Sequence, residues 1–562
     1  MAITMQKNLR TIENLRVMLE DSALRQGTAT AIREKRDGNY RDISYARLAA
    51  EAEALGTALS RRIPAGARVL LVAENSYAFV LSFFALVCGA GVPVPVDAAL
   101  PAPAVAEIAE EAGATAVIYA PDKATRIAGL SGVTAVCTDE LASLVEMGRE
   151  LLRAGEASVF EKEIDRNAPT VVFFTSGTTG KPKGVLLSHA NLCRTVSGVG
   201  YMANLTPSDT FLSVLPLSHA FGCVPGLLVP LCYGAAVAFG EGLYSLGKNL
   251  REVRPTAMVL LPFLAEALYR KCWENIARRG AETAVRRLIA VSDPVRPLAA
   301  RQALKEKLLA RERAMFGGRL NRIFLLGGQA SAAMQKGLRQ LGIFAVQGYG
   351  LTECAGLAAL NCDDSYKDGA AGKALFGGVL DIYNAQPDGS GEIRYKGENV
   401  MLGYLGGAVR ESGLRRDGWF YTGDIGRIDA DGFLHVIGRK QNAIETAGGK
   451  RICPEELEAL LCQNPFIREA VVLGVYDEEK KDNVAAAFIC PDFTYAKNMF
   501  GELDWMENLD TAISEWVDSI NSELLPFERI SMYALREEPF ARNASGKVLR
   551  AELAEEFSTL EE

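Results

Sequence analysis

The sequence predicts an α/β protein: a large N-terminal domain of sheets covered by helices, with a barrel-like part, followed by a small α+β domain. Three observations predict it. Apolar runs of strand length alternate with segments of helical period through most of the chain. From about Gly391 the texture changes to short strands with Gly and Asp turns, and after Arg439 a shorter α+β pattern begins. At 562 residues the chain is also too long for one core, so at least two domains are expected.

The elements follow in order. "RVLLVA" precedes a helix around Phe79 to Cys88, then come "VPVPVD", the helical "AVAEIAEEAG" and "TAVIYA". This is the grammar of a largely parallel sheet covered on both faces. "TVVFFT", "AMVLLP" and "RIFLLGG" add further units, while "GEIRYKGENV" and "DADGFLHVIG" show the short-strand texture. The tail supplies the helix "PEELEALLCQ", the strands "EAVVLGV" and "VAAAFIC", and a helix from about Asp510 to Leu524. The domains are placed at 1–440 and 441–562.

Charge and composition narrow the function. The 61 basic and 69 acidic residues leave a net charge of -8, which argues against nucleic acid or an anionic membrane as a general partner. Eleven cysteines without a CxxC spacing and only 3 histidines indicate neither a disulfide framework nor a zinc site, a pattern suited to a reducing cytosol. The start lacks the apolar block of a signal peptide. The stretches "FVLSFFALVCGAGVPVPVD" and "GCVPGLLVPLCYGAAVAFG" are broken by Gly and Pro, short of the ~20 clean apolar residues of a membrane span. A cytoplasmic protein without a transmembrane segment is expected, with peripheral membrane contact left open.

The segment "TSGTTGKPKG" (175–184) follows the apolar run Val171–Phe174 and precedes a helix expected near Ser188. A loop rich in Gly, Ser and Thr between a buried strand and a helix presents backbone N–H groups and hydroxyls to phosphate oxygens, and Lys181 and Lys183 add charge. It is not a Walker A loop, because Gly177 and Gly180 are too close and Pro182 follows Lys181. A flexible surface loop is the plain alternative. Two lysines in so small-residued a segment, directly after a strand, favour phosphate.

"GYGLTE" (348–353), "YTGD" (421–424), "GRK" (438–440) and "NASGK" (543–547) follow in that order. Together with the loop they resemble the adenylate-forming superfamily of acyl-CoA synthetases, carrier-protein adenylation domains and luciferases, over nearly the whole chain. "GRKQNAIETAGGKRICPEELE", with an extra residue before Ile452, is most similar to the fatty acyl-CoA synthetase branch. The resemblance implies that a carboxylate attacks the α-phosphorus of ATP to give an acyl adenylate and pyrophosphate, after which the thiol of CoA takes the acyl group and AMP leaves. The acid is already ionised at neutral pH, so no general base is required and neutralising charge is the protein's main task.

By the same resemblance Thr175, Ser176, Gly177, Thr178, Thr179, Gly180 and Lys183 hold the β- and γ-phosphates, and Thr175 and Glu353 are ligands of Mg²⁺, which takes few protein ligands beside phosphates and water. Tyr349 stacks on adenine between Gly348 and Gly350, with Leu351 and Thr352 beside it and Gly328 nearby. Asp424 accepts from the ribose hydroxyls, although Gly-Asp alone reads as a turn. Arg439 reaches the ribose or phosphate. Lys547 swings in from a mobile small domain to stabilise charge during adenylation, with Lys183, His219 and Glu353 completing the catalytic set. The hinge falls on Gln441, where Asp or Lys is usual in the family, and Gly448 and Gly449 face the pantetheine arm or form a simple tight turn.

"LPLSHAFGCVPG" (215–226) resembles the segment lining the acyl pocket, with His219 near the carboxylate entrance. The Asp with which amino-acid-activating relatives pair the substrate ammonium is missing from it, so a free amino acid is disfavoured. Gly222, Gly226, Gly328, Ala355 and Gly356 imply an open apolar channel for a fatty acid, with an aryl acid as the alternative. Two other readings are a ligase that loads an acyl carrier protein and a non-catalytic nucleotide or acyl sensor.

Overall fold

The structure, a computed structural model, describes residues 9–176, 182–295, 298–407, 417–447, 450–501, 503–542, 548, 550 and 553. Gly177 to Lys181, Gly448, Gly449 and Lys547 lie outside them. The chain forms two compact units, one of Met1–Leu380, Tyr395–Phe420 and Gly432–Leu434, the other of Asp381–Arg394, Tyr421–Asp431 and His435–Glu562.

The first unit is built on two twisted parallel arrays. In one, the strands Phe344–Tyr349, Arg322–Leu325, Ala257–Leu260, Thr210–Ser213, Ala236–Phe239 and Thr30–Arg36 lie side by side and parallel. Antiparallel strands close both edges and complete a 9-stranded sheet. Helices Pro262–Arg278, Glu282–Ser292 and Ala332–Gln340 bury Ile276, Ile289 and Leu338 against Met258, Ile323 and Leu325 of this sheet. The other array has the parallel order Val92–Val96, Arg68–Val72, Ala116–Tyr119, Thr134–Cys137, as "VPVPVD", "RVLLVA" and "TAVIYA" predicted.

The segment 175–184 folds otherwise than expected. Pro169–Ser176 and Pro182–Ser188 pair antiparallel, and Gly403–Tyr404 adds a third strand, so a strand stands between the loop and the helix. Five of the ten residues of 175–184, expected to be irregular throughout, therefore belong to strands: Thr175, Ser176, Pro182, Lys183 and Gly184. The reason is tertiary. Val172 is buried in the same core as Val94, Val96 and Ile108, with Phe174, Leu186 and Leu405 packed against it, so the hairpin gains apolar burial that local propensity does not register.

The helix His189–Ala203 then begins where expected, with Ser188 accepting from the Asn191 N–H while the Asn191 side chain accepts from the Ser188 N–H. His189 is its first residue and is buried, and the Leu15 N–H donates to its Nδ1 at 3.2 Å. Burial pulls the imidazole down from 6.5 to about 4. A histidine kept neutral in the fold but free to charge when unfolded contributes stability that is complete above about pH 6.5 and is lost as pH falls toward about 4, roughly 3 kcal/mol in all. Urea midpoints measured from neutral pH down to about pH 5 should fall for the natural chain, and His189→Gln should flatten much of that slope. An unchanged slope in the variant would assign the acid sensitivity to other groups.

In the second unit Ile467–Asp477 and Asp482–Pro491 form a hairpin, Ile530–Leu535 joins it in parallel, and helix Trp505–Glu523 buries Leu509, Ile513, Val517 and Ile520 in its core. The short-strand region makes a four-stranded sheet in the order Val379–Tyr383, Gly391–Lys396, Phe420–Ile428, Leu434–Arg439. All eleven cysteines are free thiols, and among the described residues no helix is long and apolar enough to cross a membrane.

Candidate active site

In open parallel sheets ligands bind beyond the carboxyl ends of the strands. Tyr349 ends one such strand, Gly328 follows a second by three residues, and the segment carrying His219 follows a third. Tyr349 is 8% exposed, and its carbonyl accepts from the Ala358 N–H. The flanking glycines are required by the packing of the chain on itself. A Cβ on Gly350 would lie 2.1 Å from the Gly356 carbonyl oxygen, and one on Gly348 would lie 2.9 Å from both Leu326 and Leu357. Here the chain doubles back on itself, and only glycine permits it.

Glu353 sits in a turn of 3-10 helix, Thr352–Cys354, with Leu351 and Thr352 half-buried before it. The next residue, Ala355, is fully buried with φ 49, a left-handed conformation that costs a non-glycine residue on the order of 1 kcal/mol. Distant side chains hold this turn. Asn399, 0% exposed, donates to the carbonyls of Cys354 (3.0 Å) and Leu357 (2.7 Å) and accepts from the Tyr395 hydroxyl (2.9 Å). The Met401 N–H donates to the Glu353 carbonyl at 2.8 Å.

The carboxylate of Glu353 accepts from the Tyr404 hydroxyl at 2.7 Å. The Lys183 ammonium lies 5.6 Å from the centre of the same tyrosine ring, and Lys183 is paired across the hairpin with Thr175. The structure thus brings Thr175, Lys183 and Glu353 into one constellation through Tyr404. Asn399 and Tyr404 were not singled out in the sequence. The available signal was a lone amide in the apolar run "NVML" and a second Gly-Tyr pair echoing Gly348-Tyr349. A hydroxyl and a single carboxylate, with no cluster of three or more acidic, Cys or His groups able to hold a metal among the described residues, fit Mg²⁺ carried mainly by phosphates and water.

His219 caps the short helix Ala220–Cys223, and its Nε2 lies 3.7 Å from Asp97, an ion-pair distance too long for a hydrogen bond. His219 is the largest influence holding the Asp97 carboxyl below its ordinary range, with the Ala99 N–H donating to Asp97 at 2.9 Å. Asp97 directly follows the buried strand "VPVPV" (Val92–Val96), a position where a charge is itself a signal of a site.

Of the small residues expected to open an acyl channel, Gly222 and Gly226 border a cavity of about 10 Å³ with Phe211, Leu215 and Val259, room for about one water. Gly222 is also needed for packing, since its Cβ would lie 2.1 Å from the Pro216 carbonyl oxygen, and Gly356 takes φ 93, a conformation that favours glycine. Gly328 has room for a Cβ, in ordinary contact with Pro262.

In the second unit Asp424 is 3% exposed and pairs with Arg439 at 2.8 Å. "YTGD" is not a turn: it runs inside the strand Phe420–Ile428, where Gly423 takes φ 72. The two residues read separately from sequence as ribose and phosphate contacts thus form an ion pair with each other. Gln441 is exposed in a turn in which the N–H groups of Asn442 and Ala443 donate to the Arg439 carbonyl.

A Gly- and Thr-rich segment on a hairpin, a Tyr-Gly-Leu-Thr-Glu turn beyond a parallel sheet and a separate α+β unit define an adenylate-forming fold. The chain belongs to the AMP-binding enzyme family: the family profile matches residues 19–405, and that of the AMP-binding enzyme C-terminal domain matches residues 441–560. It is 30% identical over 463 residues to the long-chain-fatty-acid–CoA ligase FadD15 of Mycobacterium bovis, covering 78% of this chain and 76% of that protein. It is 26% identical to fatty acyl-CoA synthetase A of Dictyostelium discoideum, over 95% of this chain and 87% of that protein. Among solved structures, ATP-bound MatB from Rhodopseudomonas palustris superposes with a TM-score of 0.77 at 23% identity, covering 98% of this chain and 99% of that one. A Mycobacterium tuberculosis fatty acyl CoA synthetase gives 0.67 at 23%, covering 97% and 99%. At those identities the structures speak for the fold.

Proposed function

We propose that this chain is an ATP- and Mg²⁺-dependent acid–thiol ligase that adenylates a fatty acid and transfers the acyl group to CoA. The observation that carries the reading is the Lys183–Tyr404–Glu353 constellation, which joins the phosphate hairpin to the "GYGLTE" turn. The likeness to long-chain-fatty-acid–CoA ligases supports the acid and the acceptor.

In the first step a carboxylate oxygen forms a bond to the α-phosphorus, the bond from that phosphorus to the bridging oxygen breaks, and pyrophosphate leaves. Lys183 faces the phosphates and offsets repulsion between the two anions. Thr175 and Glu353 would hold Mg²⁺, which when bound would supply further positive charge at the phosphates. Tyr349 receives the adenine, Gly328 and residues 348–352 surround the nucleotide, and Asp424 with Arg439 takes the ribose. His219, kept in place by Asp97, orients the carboxylate. In the second step the CoA sulfur attacks the acyl carbon, AMP departs with the bonding pair, and the thiol proton goes to solvent. The junction near residue 440 is supported by the ends of the two family matches at 405 and 441, and Gln441 is its hinge. A cytosolic site of action accords with the free thiols.

Pyrophosphate exchange by the purified full chain over fatty, aryl and amino acids tests the activity, and intact-mass analysis with CoA or a carrier protein tests the acceptor. Exchange with fatty acids and an acyl-CoA product are expected. Loading of the carrier protein alone would replace CoA as acceptor, and no exchange with any acid would leave a non-catalytic sensor.

A further inference from the structure

We infer that Tyr404 is a positioning residue that holds the metal-binding carboxylate and the phosphate-loop lysine apart and ready for the nucleotide. The inference rests on the reading of the site as one for Mg²⁺ and ATP, and adds to it a residue from a separate part of the chain.

The backbone of Tyr404 is fixed by strand pairing, which sets the point from which its side chain projects. Tyr404 pairs with Val185 and Gly403 pairs with Leu186, while the Leu402 and Leu405 N–H groups donate to Leu186 and Gly184 at 2.9 and 2.7 Å. The strand that carries Lys183 is therefore the strand against which Tyr404 is fixed. From there the hydroxyl reaches the Glu353 carboxylate at 2.7 Å, within the range of a charge-assisted bond. The Lys183 ammonium lies 5.6 Å from the ring centre, within reach of a cation–π attraction.

Lys183 and Glu353 carry opposite charges on either side of one tyrosine ring. An ion pair between Lys183 and Glu353 would spend on each other the cation meant for phosphate and the anion meant for metal. Among the described residues no such pair forms, because Tyr404 engages each partner by a different part of one side chain. The hydroxyl satisfies one carboxylate oxygen and the ring face holds the ammonium.

Calorimetric ATP binding at a series of Mg²⁺ concentrations, with urea unfolding alongside, tests this on the full chain. For Tyr404→Phe the half-saturating Mg²⁺ concentration is expected to rise about ten-fold, the size of one hydrogen bond to a charged group, with metal-free ATP affinity and the urea midpoint unchanged. Tyr404→Leu, which also removes the ring, is expected to weaken metal-free ATP binding as well. A Phe variant with natural Mg²⁺ dependence overturns the inference. So does an equal loss of metal-free affinity and stability, which would mean a merely structural tyrosine. If the natural chain binds ATP with no Mg²⁺ dependence, the reading of the site itself fails, and that result is distinct from either.

Discussion

Lys183→Ala is expected to lower acid-dependent pyrophosphate exchange by about 10²–10³-fold, the range for removing a preorganised donor from a developing charge. The size follows from the charges. At about 4 Å and an effective dielectric constant of about 20, one cation contributes about 4 kcal/mol against an anion. The fold should survive, because Lys183 is half-buried and its strand is held by backbone pairing to two neighbours. Lys183→Arg should recover only part of the rate, since a guanidinium is a planar fork where the site offers a point charge its place. Lys547→Ala, run beside it, should lose exchange while ATP binding is largely kept. Exchange by Lys183→Ala within about three-fold of the natural rate would remove this lysine from the chemistry.

The second large effect falls on stability and reaches the site through it. Asn399→Ala strips the Leu357 carbonyl and the Tyr395 hydroxyl of the bonds Asn399 makes, and weakens the hold on Cys354, whose carbonyl keeps Thr195 at 3.5 Å. Buried polar groups left unpaired cost about 1–3 kcal/mol each, so a loss of about 3 kcal/mol is expected. The turn also loses what holds Ala355 at φ 49, and Glu353 with it. Urea unfolding reads the first effect and the Mg²⁺ dependence of ATP binding the second. Asn399→Asp should be no better, because it turns a carboxylate toward two carbonyl oxygens. A change below about 1 kcal/mol in Asn399→Ala would show that the turn holds itself.

Much of the candidate site is proposed from sequence alone. The Thr175–Lys183 segment, Tyr349, Glu353, His219 and the Asp424–Arg439 pair carry distinctive residue types in short motifs, and short motifs survive without tertiary knowledge. One element is read differently for a tertiary reason. "KPKGVLLS" passed for the approach to a helix, though it is a strand, because lysine, proline and glycine are poor strand formers and only the core under Val172 rewards the pairing.

The amino-acid order alone determined the alternation of strand and helix, the cap at Ser188, the charge carriers of the phosphate segment and the acidic end of "GYGLTE". These follow from periodicity and side-chain chemistry, which act over a few residues. Only the tertiary structure decided that Tyr404 stands beside Glu353 and Lys183, that Asn399 grips the turn at Ala355, and that Asp97 faces His219. Those neighbours are separated by tens to hundreds of positions, and their meeting depends on strand pairing and burial across the whole unit, which no local pattern encodes.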